Sequence, residues 1–345
     1  MKSKTRVLIA DDSGIMRLLI ADIIKEDASI EVVDTAKNGK EAAEKTSELK
    51  PDVVLMDMNM GEYDGIYGTK RIMEENPTPI IILSAVGNTN MSPILEALKA
   101  GAVDYLNKPE KNNSKIRDIE AELISKIKEA SSANLSSTQK IKQSVNYSTH
   151  TFTETLNYEI IVIGSSTGGP TAVETVITKL PSNLPIPVII IQHMPENFIP
   201  SFAARLNQLT PLDVVVAQKD DEIKAGKIYL SPGNKNMIVK RERNNIVFDF
   251  TDKRFKEYNF PSVNSVMYSV AEIYGKKTIG VILTGMGKDG ADGLLSIKNA
   301  GGITIAQNKE TSVVYGMPRE AFESGAATHS VSINEMAYFL VSCIE

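Results

Sequence analysis

The sequence predicts an α/β protein with two doubly wound parallel sheets, the second carrying a β-hairpin insert. Short runs of apolar residues alternate with stretches whose apolar residues recur at helical spacing, which is typical of parallel strands covered by helices on both faces. The chain has 345 residues, and domains usually have roughly 100 to 200, so two domains are expected. A polar stretch at residues 130–150, rich in Ser, Thr, Asn and Gln, separates the two alternating halves.

The first half is expected to form a (βα)5 domain over residues 1–125. Its predicted strands are at 7–10, 30–33, 53–56, 80–83 and 103–106. Its predicted helices lie around 16–24, 40–49, 94–100 and 116–127. Residues 126–157 are interpreted as a polar linker because few apolar residues occur there.

The second half, residues 158–345, is expected to form another α/β domain. Its predicted strands are at 160–163, 188–191, 214–217, 228–230, 278–283 and 303–306, with a hairpin of 237–239 and 246–250 around Asn244-Asn245. Its predicted helices follow the turn at 164–170, cover 198–209, 263–274 and 291–300, and begin again near Asn334.

Composition restricts the class of protein. The chain has 38 basic and 43 acidic residues, a net charge of −5, which argues against a nucleic-acid-binding protein. A single cysteine, Cys343, excludes a disulfide framework, and a small packed hydrophobe is its expected role. No apolar run approaches the roughly 20 residues of a membrane helix, and the N-terminus does not read as a signal peptide. A soluble cytoplasmic protein is expected.

Five polar side chains fall at predicted carboxyl ends of strands in the first half: Asp11, Asp12, Asp57, Ser84 and Lys108. Ligands of a doubly wound sheet bind outside this edge. A single aspartate after a strand is ordinarily a turn former or a helix cap. Three carboxylates together suit Mg²⁺, which prefers oxygen ligands, and a lysine opposite them can neutralise a phosphoryl group.

With these residues the first half resembles a response-regulator receiver domain, whose fold is flavodoxin-like. The resemblance implies that a histidine kinase phosphorylates Asp57. It implies that Mg²⁺ is held by Asp11, Asp12, Asp57 and the backbone carbonyl of Asn59, and that the phosphoryl group is sensed by Ser84 and Lys108. The chain departs from the family pattern at Met60-Gly61, where Met-Pro is frequent, and this removes no ligand.

The second half contains a glycine-rich turn between a strand and a helix, Gly164-Ser165-Ser166-Thr167-Gly168-Gly169-Pro170. It fits G-x-S-x-G, in which the serine is an exposed nucleophile beside the N–H groups of a helix N-terminus. A dinucleotide-binding turn would need G-x-G-x-x-G and a Walker loop would need Gly-Lys-Ser/Thr, and neither pattern is present here. Taken alone, the turn is also compatible with glycines that only permit close packing.

Two residues at other strand ends favour a nucleophile. His193 follows the next strand and Asp289 follows a later one. A buried hydrogen-bonded histidine and a helix-capping aspartate are the structural alternatives. With Ser166 they are predicted to form a triad, in which the serine attacks, the imidazole takes its proton and the carboxylate fixes the imidazole tautomer. The chain order Ser, His, Asp differs from that of α/β-hydrolases.

Residues 158–345 then resemble the catalytic domain of chemotaxis protein-glutamate methylesterases, the CheB family. The matching stretches are IGSSTGGP at 163–170, QHMP at 192–195, SFAARL at 201–206, SPG at 231–233, LTGMGKDG at 283–290 and SVVYGMPRE at 312–320. The resemblance implies catalysis by Ser166, His193 and Asp289, an oxyanion region at the backbone of Thr167 and Met286, and no cofactor in this domain. The departures from the family pattern are Ser165, Asn264 and Asn308, where alanine, aspartate and aspartate are usual.

The resemblance implies a phosphorylation-activated hydrolase in chemotaxis adaptation. It would remove methyl esters from glutamates of methyl-accepting receptors, deamidate specific receptor glutamines and receive its phosphoryl group from the chemotaxis histidine kinase. The receiver is expected to cover the active site until Asp57 is phosphorylated. Two other classes stay open. A transcription regulator would need a basic helix-turn-helix output domain, and a non-catalytic adaptor would carry a degenerate hydrolase domain.

Overall fold

The computed structural model describes residues 4–85, 92–108, 119–135, 152, 156–255 and 260–344. The chain divides into two compact units, Met1–Gln139 and Lys140–Glu345, called below the N-terminal and C-terminal units. Across the described ranges, no helix is both long and apolar enough to span a bilayer.

The N-terminal unit has a five-stranded sheet in the order β2-β1-β3-β4-β5, with every neighbouring pair parallel. Its elements are β1 (Thr5–Ala10), α1 (Gly14–Lys25), β2 (Ile30–Ala36), α2 (Gly39–Leu49), β3 (Val53–Asp57), α3 (Gly65–Glu75), β4 (Ile80–Ala85), α4 (Ser92–Lys99), β5 (Asp104–Lys108) and α5 (Glu120–Ala130). All five residues of β3 are buried, which explains why the strands read as continuous apolar runs. The predicted flavodoxin-like (βα)5 fold is confirmed.

Helix α3 is absent from the sequence-based prediction because glycines interrupt its apolar pattern. The structure gives a packing reason for them. A Cβ on Gly65 would lie 2.3 Å from the backbone oxygen of Asp57, and one on Gly68 would lie 2.8 Å from the Met56 methyl group. The last predicted helix of this half is described only from Glu120, so Ile116 lies outside the described residues. That helix continues to Ala130, into the stretch expected to be linker.

The C-terminal unit has a seven-stranded sheet in the order β14-β13-β12-β6-β7-β9-β8, again with parallel neighbours throughout. Its elements are β6 (Ile160–Ser165), α6 (Gly169–Ile177), β7 (Val188–Gln192), α7 (Ile199–Leu209), β8 (Asp213–Val216), β9 (Lys227–Leu230), β10 (Asn236–Glu242), β11 (Asn245–Thr251), α8 (Val263–Tyr274), β12 (Thr278–Ile282), α9 (Ala291–Asn299), β13 (Ile303–Gln307), α10 (Met317–Glu323), β14 (His329–Val331) and α11 (Ile333–Ile344). The predicted doubly wound α/β fold is confirmed. The short elements α10 and β14 escaped prediction because neither has a long apolar run.

The insert is the antiparallel hairpin of β10 and β11, as expected. Its turn lies at Arg243-Asn244, one residue earlier than predicted, and Arg243 adopts φ 55° there. The inner face of the hairpin joins the core, because Met237 and Phe248 are fully buried and the Phe248 ring lies 4.9 Å from that of Tyr229.

Both sheets reverse their winding direction beside their first strand. In the N-terminal unit the reversal lies between β1 and β3, and in the C-terminal unit it lies between β6 and β12. The crevice outside the carboxyl ends of such strands is the usual ligand site of this architecture. Each unit therefore has one place where functional side chains are expected. Asp11 follows β1 and Asp57 ends β3 in the N-terminal unit, and Ser166 follows β6 in the C-terminal unit.

Candidate functional sites

Asp289 is held at the N-terminus of α8. Its carboxylate accepts hydrogen bonds from the backbone N–H groups of Val263 (2.7 Å) and Asn264 (3.1 Å) and from the Ser262 hydroxyl (3.1 Å). It is 2% exposed. The helix that follows Asp289 directly, α9, is capped by Gly290 without a side-chain hydrogen bond. The aspartate therefore binds a distant helix end, where the helix dipole stabilises its negative charge, and the capping alternative for α9 does not apply.

His193 is bound to this carboxylate. Its Nε2 lies 2.9 Å from Oδ2 of Asp289, and the side chain is almost fully buried. A carboxylate can only accept, so this contact places a proton on Nε2 and leaves Nδ1 of the neutral ring as the basic nitrogen. The predicted contact between the histidine and the aspartate is present.

Ser166 and His193 follow neighbouring strands at the same level. Ser165 pairs with Gln192 at the end of the β6–β7 ladder, and the backbone N–H of His193 donates to the Ser165 carbonyl over 3.0 Å. Ser166 is the partly exposed residue of a turn whose other members are buried. The nucleophile candidate is thus accessible, beside the strand that carries the imidazole.

The loop after β12 packs directly against the nucleophile turn. The backbone N–H of Ser166 donates to the Thr284 carbonyl over 3.1 Å, and the Thr284 hydroxyl donates to the Thr167 carbonyl over 3.0 Å. A Cβ on Gly285 would come within 2.8 Å of the Ser166 Cβ, so only glycine fits there. Met286, the next residue, is partly exposed, which brings the two expected oxyanion residues, Thr167 and Met286, to loops in mutual contact.

Gln192 connects the nucleophile turn with the histidine and was not identified from the sequence. Its Nε2 donates to the carbonyls of Ser166 (2.9 Å) and His193 (3.1 Å). Its Oε1 accepts from the Ser165 hydroxyl over 2.7 Å. One sequence signal for Gln192 was available: it is a polar residue at the end of an apolar strand, directly before His193.

Asn264 fixes the loop of Asp289 from the other side. Its Oδ1 accepts from the backbone N–H groups of Gly290 (3.1 Å) and Gly293 (2.7 Å). Its buried Nδ2 has no hydrogen-bond partner among the described residues. Asparagine at this position therefore supplies the acceptor that the loop needs and leaves one donor unsatisfied.

The two helices that follow Ser166 and His193 are joined by an ion pair. Glu174 on α6 is buried. Both of its carboxylate oxygens accept hydrogen bonds from the Arg205 guanidinium on α7, and the bond to Oε2 has a length of 3.1 Å. A bidentate pair of this kind holds the relative position of the helices as well as neutralising the charge.

The N-terminal unit collects its predicted residues at the ends of β1, β3 and β5. The Lys108 ammonium lies 2.6 Å from Asp57 and 2.8 Å from Asp11, and the side chains of both aspartates are at most 5% exposed. Burial raises the pKa of Asp57 to about 6, although the adjacent lysine opposes the shift. The cost of desolvating this buried carboxylate therefore outweighs its attraction to the adjacent Lys108 ammonium.

This pocket has the donor set of a hard divalent cation. Carboxylate oxygens of Asp11, Asp12 and Asp57 lie within 4.8 Å of one another, and octahedral Mg²⁺ needs oxygen ligands at about 2.1 Å. Asp12 and Asn59 are exposed, so the cluster is open on one side. The residues present therefore fit Mg²⁺ after small movements.

Ser84, the expected phosphoryl-sensing hydroxyl, lies at the carboxyl end of β4, one residue before the last residue of the strand. It is fully buried, and its Oγ has no hydrogen-bond partner within the described ranges. A buried hydroxyl without a partner beside an acidic cluster can form a hydrogen bond with a ligand that enters the pocket.

Comparisons with known proteins agree for both units. Residues 161–340 match the family model for CheB methylesterase, and residues 7–120 match that for the response regulator receiver domain. The protein-glutamate methylesterase/protein-glutamine glutaminase of Archaeoglobus fulgidus is 41% identical, with 99% of this chain and 98% of that protein aligned. The Thermotoga maritima protein of the same name is 42% identical, with 94% of each covered.

A solved structure supports the C-terminal comparison. The crystal structure of the Thermotoga maritima CheB methylesterase catalytic domain has a TM-score of 0.53 and 39% sequence identity. The alignment covers 54% of this chain and 99% of that domain.

The pKa of Asp57 predicts a pH-dependent gain of stability in Asp57→Asn. The folded pKa of about 6 lies above the ordinary value of 3.8. The folded state therefore binds more protons, and the contribution of this carboxyl to stability is lost as pH rises from about 4 through 6. In metal-free buffer above pH 7 we expect the variant's N-terminal unit to be more stable by about 1 to 3 kcal/mol, with no gain below pH 4.

Urea unfolding between pH 4 and 8, with chelator present, measures this difference. Asp22→Asn, at an aspartate 71% exposed on α1, is the control and should be neutral throughout. A loss of stability in Asp57→Asn at pH 7.5 would show that the lysine contact outweighs desolvation.

The Gln192 contacts predict a large loss of activity in Gln192→Leu, because two carbonyls at the nucleophile turn and the histidine lose their donor. We expect kcat for a small ester to fall roughly 10- to 100-fold with KM nearly unchanged, as for loss of positioning. Ser165→Ala removes only the third contact and is the matched control, with a decrease of less than about threefold expected. Equal activities of the two variants would contradict the role of Gln192.

Proposed function

Because the chain belongs to the CheB methylesterase family and begins with a response-regulator receiver domain, we propose that it hydrolyses glutamyl methyl esters with Ser166, His193 and Asp289. Membership makes the chain a protein-glutamate methylesterase and protein-glutamine glutaminase of chemotaxis adaptation. The 2.9 Å contact between His193 and Asp289, anchored on the N-terminus of α8, is the observation that carries the assignment.

The arrangement supports an acyl-enzyme route. Nδ1 of His193 takes the proton of Ser166 as Oγ attacks the ester carbonyl, and the charged ring is stabilised by Asp289. The ring then protonates the departing methoxide, methanol leaves, and a glutamyl ester on the serine remains. Water attacks this ester with the same base, which releases glutamate and restores the serine. A glutamine side chain follows the same steps and releases ammonia.

The developing oxyanion is assigned to backbone N–H groups near Thr167 and Met286. The contacts between the nucleophile turn and the loop after β12 support this role, since Thr284 of that loop accepts from the Ser166 N–H and donates its hydroxyl to the Thr167 carbonyl. Each donor of such a site contributes roughly 10²- to 10³-fold to the rate. None of these steps requires a cofactor in the C-terminal unit.

The N-terminal unit is assigned the role of phosphoryl acceptor. Asp57 would receive the phosphoryl group from a chemotaxis histidine kinase, and Mg²⁺ would be held by Asp11, Asp12, Asp57 and the Asn59 carbonyl. The ion, when bound, neutralises charge on the transferring group. A role of Lys108 and Ser84 in binding the phosphoryl oxygens is supported by the 2.6 Å contact between Lys108 and Asp57 and by the Ser84 hydroxyl, which has no partner among the described residues.

Methyl-accepting receptors are the proposed substrates, and a cytoplasmic location is proposed with them. A nucleic-acid partner is not part of the proposal. The C-terminal unit is a seven-stranded α/β sheet rather than a helix-turn-helix domain, so the transcription-regulator alternative is abandoned. A non-catalytic adaptor would not require a histidine bound to an anchored aspartate, and the activity assay below distinguishes it.

Ser166→Ala tests the nucleophile. We expect methanol release from methylated receptor membranes to fall at least about 10³-fold, because the attacking oxygen is gone, with the unfolding curve unchanged. Ser165→Ala, one residue away, should retain most activity. Substantial turnover by Ser166→Ala would reject the assignment.

Phosphorylation of Asp57 is expected to activate the enzyme. A charge-changing modification can bias a two-state conformational equilibrium. A small-molecule phosphodonor with Mg²⁺ should raise methanol release by the full chain at least about tenfold, and Asp57→Asn should show no increase. Equal activation of both chains would contradict gating through this residue.

A further inference from the structure

The open end of the β10–β11 hairpin is linked by hydrogen bonds to the catalytic aspartate. Ser262 donates its hydroxyl to Asp289. The backbone N–H of the same residue donates to Oδ1 of Asn236 at a distance of 2.7 Å. Nδ2 of Asn236 donates in turn to the Lys253 carbonyl over 2.8 Å. Three hydrogen bonds therefore connect the backbone of Lys253 with the catalytic carboxylate.

The same hairpin end also borders the loop of the catalytic histidine. A Cβ on Gly233 would lie 2.4 Å from the Met194 oxygen and 2.5 Å from the Glu196 nitrogen, so the two loops touch. Lys235 follows two residues later. The first residue of β10, Asn236, pairs with the last residue of β11, Thr251, which brings Lys235 and Lys253 to one end of the hairpin.

Three exposed cations gather at this end: Lys235, Lys253 and Arg254, here called the cationic patch. Within the part of the chain that the structure describes, no ion pair to any of them is found. Elsewhere on the hairpin the situation differs, since Lys240 lies 3.0 Å from Asp249. Asp252 is the one acidic residue in the segment 250–255, so the patch has an excess of positive charge.

Aromatic rings support two of these cations. The Lys235 ammonium lies 5.8 Å from the centroid of the Phe250 ring, and that of Lys253 lies 5.3 Å from the Phe255 ring. Phe255 stacks on Tyr268 of α8 at 6.1 Å. Contacts with rings position the ammonium groups without neutralising them, so their charge remains available to a partner.

We propose that the cationic patch binds the acidic protein segment that carries the ester. The inference rests on the proposed function. Each turnover converts a neutral ester into a carboxylate, so a segment with several modifiable glutamates becomes more anionic as the reaction proceeds. Carboxylates flanking the reacting ester meet the cations of the patch, which have no ion pair among the described residues, beside the catalytic histidine and aspartate. The patch thus supplies affinity and orientation, and the triad supplies the chemistry.

Two synthetic peptides test the proposal with the full-length chain. One carries a glutamyl methyl ester flanked by glutamates, and the other carries the same ester flanked by glutamines. The double variant Lys235→Gln/Lys253→Gln should raise KM for the acidic peptide roughly 3- to 10-fold at low salt, as expected for two exposed charge contacts. Its kcat, and its KM for the neutral peptide, should stay within about twofold of wild type.

Lys276→Gln/Lys298→Gln is the charge-matched control. Lys276 lies just before the start of β12 and Lys298 lies in the last turn of α9, which precedes β13. Both are therefore near the amino ends of strands, whereas the site is at the carboxyl ends. Equal KM values of the two double variants for the acidic peptide would overturn the proposal. Unchanged peptide kinetics with weaker binding to anionic phospholipid vesicles would also overturn it and would assign the patch to a membrane surface.

A direct binding measurement separates this proposal from the assignment of the reaction. Fluorescence anisotropy of the acidic peptide is measured with Ser166→Ala, with and without the Lys235→Gln/Lys253→Gln changes. Weaker binding with these changes supports the patch even if wild type hydrolyses neither peptide, a result that would reject the proposed function alone. Equal affinities would reject the patch while leaving an observed hydrolysis unaffected.

Discussion

The C-terminal site depends on three neighbouring parallel strands that end at one edge of the sheet. Strands β12, β6 and β7 are adjacent and in register, so the segments leaving them meet although they are far apart in sequence. Ser166 and His193 come directly from two of these ends. Asp289 comes from the third through a loop whose conformation is fixed by helix α8. A shift of register between any two of these strands would displace one of the three residues relative to the others and break up the arrangement.

The two units surround their buried carboxylates with different groups. Each places buried carboxylates at the winding reversal of its sheet, where ligands bind. Asp289 accepts hydrogen bonds from the N–H groups at the N-terminus of a helix, an arrangement that fixes the position of its carboxylate. Asp57 has a lysine at 2.6 Å, yet burial still raises its pKa. The first arrangement suits a carboxylate that orients a neighbouring side chain, and the second suits the proposed phosphoryl acceptor.

Sequence patterns were sufficient for residues at strand ends and insufficient for those that act through packing. Apolar runs located the strands, and their ends located Asp57, His193 and Asp289. Gln192 and Asn264 were not predicted as parts of the site, because their roles depend on carbonyls and N–H groups that only the folded chain brings together. Helix α3 was missed for a related reason, since its glycines serve close contacts with neighbouring segments.

The ion pair between Glu174 and Arg205 has an evolutionary consequence. It joins the helices that follow the serine and the histidine, and the glutamate is buried. Loss of Arg205 alone would leave the buried Glu174 carboxylate without its partner, whereas the arginine is partly exposed and can be solvated. The constraint is therefore asymmetric: replacement of the arginine is expected to require replacement of the glutamate as well, and the reverse is less strict.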